Sequence, residues 1–378
     1  VLAASYEARR CGVRAGMVGW MARRLCPQIR FVGGHFREYQ RLADAVMAVF
    51  HDFTPLVERV SIDEAFLQVA GAVHLFGPPE QIAASIRQRV RAEMGLPVSV
   101  GVARTKHLAK VASRVAKPDG MVVVDPRCEA TFLAPLPVGL IWGVGPVTEA
   151  RLAGQGVRTI GDLTRVGSPI LAQLLGVATG TRLSSLAANI DPRAVVTVRR
   201  AKSIGAQAAL GAQPATPGTL RATLGYLCDR VGGRARSSGR AARTVTVRVR
   251  FTGLRSVTRA HTVAVAVSST RTLTEIAVRL ASGALAEHPS DRQVTLLGVS
   301  LSNLVDEPPL QLELPLTAGA AAERPGSAVG AARRGVDGSV DAIRAKFGRD
   351  AIGYATVVFS DGSRVPEEFR ALAEHSDD

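Results

Sequence analysis

Ser61-Ile62-Asp63-Glu64-Ala65-Phe66-Leu67 places two adjacent carboxylates between two strand-like segments, Leu56 to Val60 and Ala65 to Ala70. Such a pair is costly near a core, and the cost falls if it holds a divalent cation. Successive strand residues point to opposite faces. Neighbouring carboxylates therefore converge on one ion only where a strand bends or begins, and a hairpin junction meets that need. Alone the pair is weak, because Asp and Glu are common in solvated turns. It gains weight from Tyr6-Glu7-Ala8-Arg9 upstream and Lys117-Pro118-Asp119-Gly120 downstream.

The flanking periodicities describe a sheet domain. Residues 5–30 read as largely helical and basic, with Arg9, Arg10, Arg14, Arg23 and Arg24. Residues 37–50 set Tyr39, Leu42, Ala43, Val46, Val49 and Phe50 on one helix face. Beyond the hairpin come a helix at 79–94, a strand at 97–103, a helix at 105–116 and a strand at 121–124. The order is that of a ferredoxin-like β-α-β-β-α-β domain without its first strand. Val1 to Ala4 reads as the end of a strand.

From residue 135 the character changes. Ile141-Trp142-Gly143-Val144-Gly145-Pro146 leads into a helix from Val147 to Gly154, and the run from Gly156 to Leu163 opens another. Glycines let a backbone come close to a phosphate, and helix N-termini supply donors. Gly143 and Gly145 are accordingly candidate contacts to a DNA backbone. Residues 200–302 follow a short linker near Val196 to Arg200. In Thr244-Val245-Thr246-Val247-Arg248-Val249-Arg250-Phe251 the odd positions are apolar and the even ones are Thr, Thr, Arg, Arg. One face packs on a core and the other offers hydroxyls with Arg248 and Arg250 to phosphates. Between 200 and 292 stand fifteen basic residues against four acidic ones, which is eleven of the net charge of +15.

That charge points to a polyanionic partner, nucleic acid first and an acidic membrane second. At 378 residues the chain exceeds one core, so two to four domains are expected. No apolar run reaches the ~20 residues that span a bilayer, and no signal peptide is visible. Cys11, Cys26, Cys128 and Cys228 are scattered without a Cys-x-x-Cys pair. This argues against a zinc site or disulfide framework and fits a reducing cytoplasm. Residues 317–338, rich in Ala, Gly and Arg, read as a flexible linker, followed by a short helix (Val340 to Phe347) and a strand (Tyr354 to Phe359).

Five segments, in order, carry a family resemblance: ASYEARRCGVRAGM (4–17), SIDEAFLQV (61–69), SVGVARTKHLAKVASRVAKPDG (99–120), IWGVGPVTEARLAGQGVRTIGDL (141–163) and RRAKSIG (199–205). Over roughly residues 1–316 the chain resembles the Y-family DNA polymerases, most closely their bacterial translesion members. The resemblance implies an α+β multidomain right hand. Its parts are fingers (1–50, with the first palm strand absent), a ferredoxin-like palm (51–134), a helix-hairpin-helix thumb (135–198) and a β-α-β-β-α-β little finger (199–305). A clamp-binding peptide (306–316) and a flexible tail with a short helix (317–378) follow. It further implies error-prone, template-directed DNA synthesis in translesion repair, in the cytoplasm, by a monomer that uses primer-template DNA, dNTP and the sliding clamp β subunit.

Nucleotidyl transfer draws on two cations, and hard Mg²⁺ wants carboxylate oxygens. Asp63 and Glu64 match the family's paired palm carboxylates, metal ligands of which the Glu is essential to the chemical step. Tyr6, Arg9 and Lys117 match its triphosphate-binding positions, and Arg10 and Lys106 have weaker claims. Gln311-Leu312-Glu313-Leu314-Pro315-Leu316 is similar to the bacterial clamp-binding peptide, with Gln311 for a hydrogen bond and Leu314 and Leu316 for an apolar pocket. One departure stands out. The family's third metal ligand is an Asp on the first palm strand, followed by two aromatics that include the gate against ribonucleotides, and this segment is not in the sequence. The expectation is a truncated or misassigned start, and near-inactivity for a polypeptide that begins at Val1. The alternative is a DNA- and clamp-binding relic of such a polymerase. A generic helix-hairpin-helix nuclease or repair scaffold leaves the Tyr-Glu-Ala-Arg and Ala-Lys-Pro-Asp-Gly segments unexplained.

Overall fold

The computed structural model describes residues 1–198, 200–291, 293–306 and 324–354. The chain divides between residues 199 and 200 into two compact units. The first opens with two short helices, α1 (Tyr6–Arg10) and α2 (Gly19–Leu25), around a small core of Ala8, Val13, Ala22 and Cys26. Val1 to Ala4 joins no strand. Instead the Val1 ammonium donates to the Met17 carbonyl (2.9 Å) and the Val1 carbonyl accepts the Gly16 N–H (2.9 Å).

The 18-residue α3 (Phe36–Phe53) buries Ala43, Met47, Val49, Phe50 and Phe53. They meet Val57 of β1 (Val57–Arg59) and Ile82, Ile86 and Val90 of α5 (Pro79–Met94). β1 pairs antiparallel with β2 (Ala65–Leu67), and the one-turn α4 (Val73–Phe76) leads into α5. β3 (Val100–Val102) pairs parallel with β4 (Met121–Val123) around α6 (Lys106–Val115). Among the described residues the two ladders are not hydrogen-bonded to each other. A Cβ at Gly101 would lie 2.1 Å from the Ala109 carbonyl oxygen and 2.4 Å from the Ser113 nitrogen. Only glycine lets α6 sit this close to β3, which accounts for the Gly within the 99–120 motif.

Leu108, Val111 and Ala112 of α6 share a core with the helices that follow, α7 (Glu129–Leu133), α8 (Pro146–Ala153), α9 (Ile160–Val166), α10 (Ser168–Leu175) and α11 (Val177–Ala187). Its fully buried members include Leu133, Ile141, Leu152, Ile160, Leu163 and Leu171, each contributing about 1.5–3 kcal/mol by burial.

The second unit runs β5 (Ser203–Pro214), α12 (Pro217–Ser237), β6 (Arg240–Phe251), β7 (Ser256–Val267), α13 (Thr270–Ala286) and β8 (Gln293–Asp306). The sheet is antiparallel throughout, in the order β5-β8-β6-β7. Val245, Val247, Val249 and Phe251 point to the helices, where Leu224, Leu227 and Val231 of α12 and Leu273, Ile276 and Ala277 of α13 complete the core.

The chain beyond residue 323 departs from expectation. Much of the linker expected at 317–338 lies within α14 (Ala328–Phe347), a 20-residue helix N-capped by the Ser327 hydroxyl, which accepts the Gly330 N–H (3.0 Å). Its inner face carries Gly330, Arg333, Asp337, Val340, Asp341 and Arg344, a heptad-like stripe that is mostly polar. Arg344 forms a double bond pair with buried Asp229 of α12 (2.9 and 3.0 Å). Arg236 of α12 does the same with Asp341 (2.6 and 3.0 Å). Arg333 reaches Glu275 of α13 (2.8 Å), and buried Asp337 accepts from Tyr354 Oη (2.6 Å) and the Thr270 N–H (3.2 Å). The residues that dock this helix are charged, so an apolar periodicity could not reveal it. The strand expected at Tyr354 to Phe359 falls, after Tyr354, outside the described residues, as do Gln311, Leu314 and Leu316.

Candidate active site and nucleic-acid interface

β1 and β2 meet in a tight corner. The N–H groups of Val60 and Ser61 both donate to the Glu64 carbonyl (2.9 and 3.2 Å). Ser61 Oγ donates to Asp63 Oδ1 (2.6 Å) and accepts the Asp63 N–H (3.3 Å). Asp63 is exposed and Glu64 half-buried, with Glu64 Oε2 accepting from Lys110 Nζ of α6 (2.6 Å). The junction thus leaves both adjacent carboxylates within reach of water at one corner of the hairpin. Mg²⁺ keeps several waters and uses one or two protein carboxylates together with substrate phosphates. The corner fits such an ion. Among the described residues, no group of three or more His, Cys, Asp or Glu side chains gathers here or elsewhere.

Tyr6 and Arg9 are brought together on α1. The Arg9 guanidinium lies 5.5 Å from the Tyr6 ring centre, and its Nε donates to the Ala4 carbonyl (3.0 Å). Arg10 pairs with Glu7 on the surface. Lys117 has an exposed side chain at the start of a turn with a cis Lys117–Pro118 bond and Asp119 in the left-handed region (φ 47°). Arg87 of α5 ties this turn down, donating to the carbonyls of Asp119 (2.7 Å) and Val98 (3.0 Å). Arg91 and Arg87 hold the Asp119 carboxyl below its ordinary range. No hydrogen bond or ring contact joins Tyr6, Arg9 or Lys117 to the Asp63–Glu64 corner among the described residues.

Lys106 lies among protein partners. It is buried against Glu58, with a further bond to the Ala194 carbonyl (3.1 Å), and Glu58 also accepts the Val196 N–H (2.8 Å). The segment after α11 is thereby strapped to β1 and α6. Asn189 donates to Glu129 (2.9 Å), and Asp191 accepts the His107 N–H (2.9 Å) and pairs with Arg193.

His107, wholly buried at the start of α6, has no hydrogen-bond partner at either ring nitrogen among the described residues. Burial pushes its pKa down from 6.5 to about 4, with Asp191 pulling the other way and Arg193 and Arg182 adding to the downward push. The unfolded imidazole binds a proton that the folded one refuses. Stability is therefore complete above pH ~6.5 and is lost as pH falls toward 4, by about 2–3 kcal/mol at pH ~4.5. Both tryptophans, Trp20 and Trp142, lie in the first unit. Urea unfolding followed by their fluorescence at the two pH values should show this loss in the natural protein and not in His107→Phe.

The helix-hairpin-helix segment has Gly143 at φ 103°, which favours glycine, and Gly145 as the residue before α8. Thr159 and Asp162 form a reciprocal capping box on α9. The N–H groups of Thr159 and Arg158 hold the Asp162 carboxyl down to about 2. In the second unit the sheet face away from the helices reads, across the strands, Ser302–Thr244–Thr262, then Ser300–Thr246–Ala260, then Gly298–Arg248–Thr258. Arg248 is exposed and donates to Ser256 Oγ (3.3 Å), and Arg250 donates to Thr295 Oγ1 (3.1 Å). This is the hydroxyl and guanidinium face that the alternation predicted.

Lys110 and Trp142 fall within segments that carry the resemblance but receive no role from the sequence, and Arg193 lies outside those segments. Lys110 carried a signal, four residues after Lys106 on the same helix face. Arg193 carried none.

Comparison with known proteins agrees with this architecture. Residues 1–114 match the impB/mucB/samB family, residues 126–157 the IMS family HHH motif, and residues 201–314 the C-terminal domain of the impB/mucB/samB family. DNA polymerase IV 2 of Mesorhizobium japonicum is 57% identical over 374 residues, covering 99% of this chain and 90% of that one. Among solved structures, a Y-family DNA polymerase chimera of Dbh and Dpo4 has a TM-score of 0.69 at 27% identity, over 80% of this chain and 86% of that one. An insertion ternary complex of Dbh DNA polymerase gives 0.55 at 26% identity, over the same shares. No helix among the described residues is long and apolar enough to cross a membrane. A paired-carboxylate hairpin, a helix-hairpin-helix segment and a basic four-stranded sheet, in that order and matched along nearly the whole chain, place this protein in the impB/mucB/samB family of Y-family DNA polymerases.

Proposed function

We propose that this chain is an error-prone, template-directed DNA polymerase of the polymerase IV kind, extending a primer 3′ end with dNTPs. The observation that carries the reading is the hairpin corner, where two carboxylates of a polymerase-family chain stand together in water's reach. Asp63 and Glu64 would hold two Mg²⁺ ions. When bound, such ions ease activation of the primer hydroxyl and neutralise the leaving pyrophosphate. Tyr6, Arg9 and Lys117 bind the triphosphate through hydroxyl and cationic donors. Gly143 and Gly145 let the backbone approach the duplex phosphates, and Arg248 and Arg250 grip them from the sheet face. Gln311, Leu314 and Leu316 dock on the sliding clamp.

The test is primer extension by the full-length protein on templates of known sequence. Template-directed addition that stops on chelation of Mg²⁺ is expected. Duplex binding without any extension supports instead the reading of a DNA- and clamp-binding relic, and template-independent addition contradicts both.

A further inference from the structure

Glu64 does not stand free at its corner. Lys110, whose side chain is 15% exposed against 43% for Glu64, donates to Glu64 Oε2 at 2.6 Å. The same ammonium lies 5.1 Å from the centre of the Trp142 ring. The Arg193 guanidinium lies 4.5 Å from that centre, and the Phe66 ring of β2 packs on Trp142 at 5.7 Å between centroids. Arg193 is held by Asp191 through bonds of 2.6 and 2.8 Å. Lys106 and Arg193 thus have carboxylate partners outside the corner, and among the described residues Lys110 is the cation paired with Glu64.

Two points fix the Lys110 side chain, a carboxylate at its tip and a ring against its ammonium. An ammonium has no lone pair and cannot ligate a cation. It repels a divalent ion that approaches the same oxygen, so the two compete for Glu64. It also restricts the carboxylate to the rotamers that reach it. A long, half-exposed Glu would otherwise sample several rotamers.

We propose that Lys110, braced on Trp142, is the positioning residue for Glu64, holding its carboxylate at the corner and giving up that oxygen when a divalent cation binds. The proposal rests on the reading of Asp63 and Glu64 as the metal corner. Trp142 immediately precedes Gly143, so the brace comes from the segment that carries the candidate phosphate-binding glycines. A shift of that segment on duplex binding is passed to Glu64 through one ring and one ammonium.

The experiment uses the full-length protein with Trp20→Phe, so that fluorescence reports Trp142. Titration with MgCl₂ alone, without DNA, should change Trp142 emission as the ammonium leaves the ring, and Lys110→Met should abolish that change. In single-turnover insertion, Lys110→Met should lower the maximal rate about tenfold, as loss of a supporting partner to a ligand commonly does. The dNTP concentration at half-maximal rate and the duplex affinity should stay within about twofold of the parent's, since neither ligand is bound by Lys110. Half-saturating Mg²⁺ should fall about threefold, because a competitor worth a fraction of 1 kcal/mol is gone. Lys110→Arg, which can both pair with Glu64 and stack on Trp142, should restore most of the rate. Trp142→Phe should retain the rate and Trp142→Leu should lose it as Lys110→Met does.

A maximal rate within about twofold of the parent's in Lys110→Met overturns the proposal. So does a rise in half-saturating Mg²⁺, or a rate loss matched by lost duplex affinity. If Lys110→Met does not fold, the Trp142 pair decides: equal rates in Phe and Leu overturn it. Glu64→Gln separates the two ideas. If it leaves insertion intact, the metal-corner reading fails. If it abolishes insertion while Lys110→Met does not lower it, only this inference fails.

Discussion

Asp63→Asn in the full-length protein is expected to slow primer extension about 10³-fold, since losing a cation ligand removes several kcal/mol of transition-state stabilisation and each 1.36 kcal/mol is tenfold. The substitution suits the test because it is nearly isosteric. Asp63 is exposed, its side chain bonds only to Ser61 Oγ among the described residues, and an amide oxygen can still accept that bond. Unfolding midpoints and duplex affinity should therefore match the natural protein, leaving the rate alone changed. Glu64→Gln should show a loss of the same order and should also weaken the contact with Lys110. A loss below about tenfold in Asp63→Asn would remove the corner from the chemistry.

Duplex binding should depend steeply on salt. A protein that neutralises six or more phosphates loses about 10³-fold in affinity between ~50 and ~200 mM salt. The second unit holds eleven of the fifteen net positive charges between residues 200 and 292. Fluorescence anisotropy of a labelled primer-template across that range should give the slope. Arg248→Ala with Arg250→Ala should reduce it by about two, one per phosphate contact, and weaken binding about equally on unrelated sequences. A slope unchanged by the double substitution would place the duplex elsewhere on the protein.

Much of this was legible from residue patterns, and the exceptions share a cause. The hairpin could be placed because two short apolar segments flank Asp63 and Glu64. In the second unit β6 could be placed because Val245, Val247, Val249 and Phe251 alternate with polar residues, while its other strands and helices were expected from the family resemblance alone. By contrast, α14 docks through Arg333, Asp337, Asp341 and Arg344, so its sequence reads as solvated while its inner face is buried. Nothing along the chain foretells that Lys106 pairs with Glu58. Burial against Glu58 is a tertiary fact, set by a strap 88 residues downstream. Trp142 and Arg193 meet Lys110 only once the hairpin, α6 and residues 189–196 are assembled. Where a position answers to neighbours along the chain, pattern suffices; where it answers to a partner far away, it does not.

The outer face of the second sheet has a consequence for what this molecule knows of the DNA it handles. The rows named above carry Ser, Thr, Gly, Ala260 and Arg248, with Arg250 beyond them, and none of these offers an aromatic ring for a base to lie on. Contacts of that kind hold a strand by its phosphates and carry no sequence information. A grip by this face, as proposed above, would be illiterate: a damaged letter and an intact one would feel alike to it.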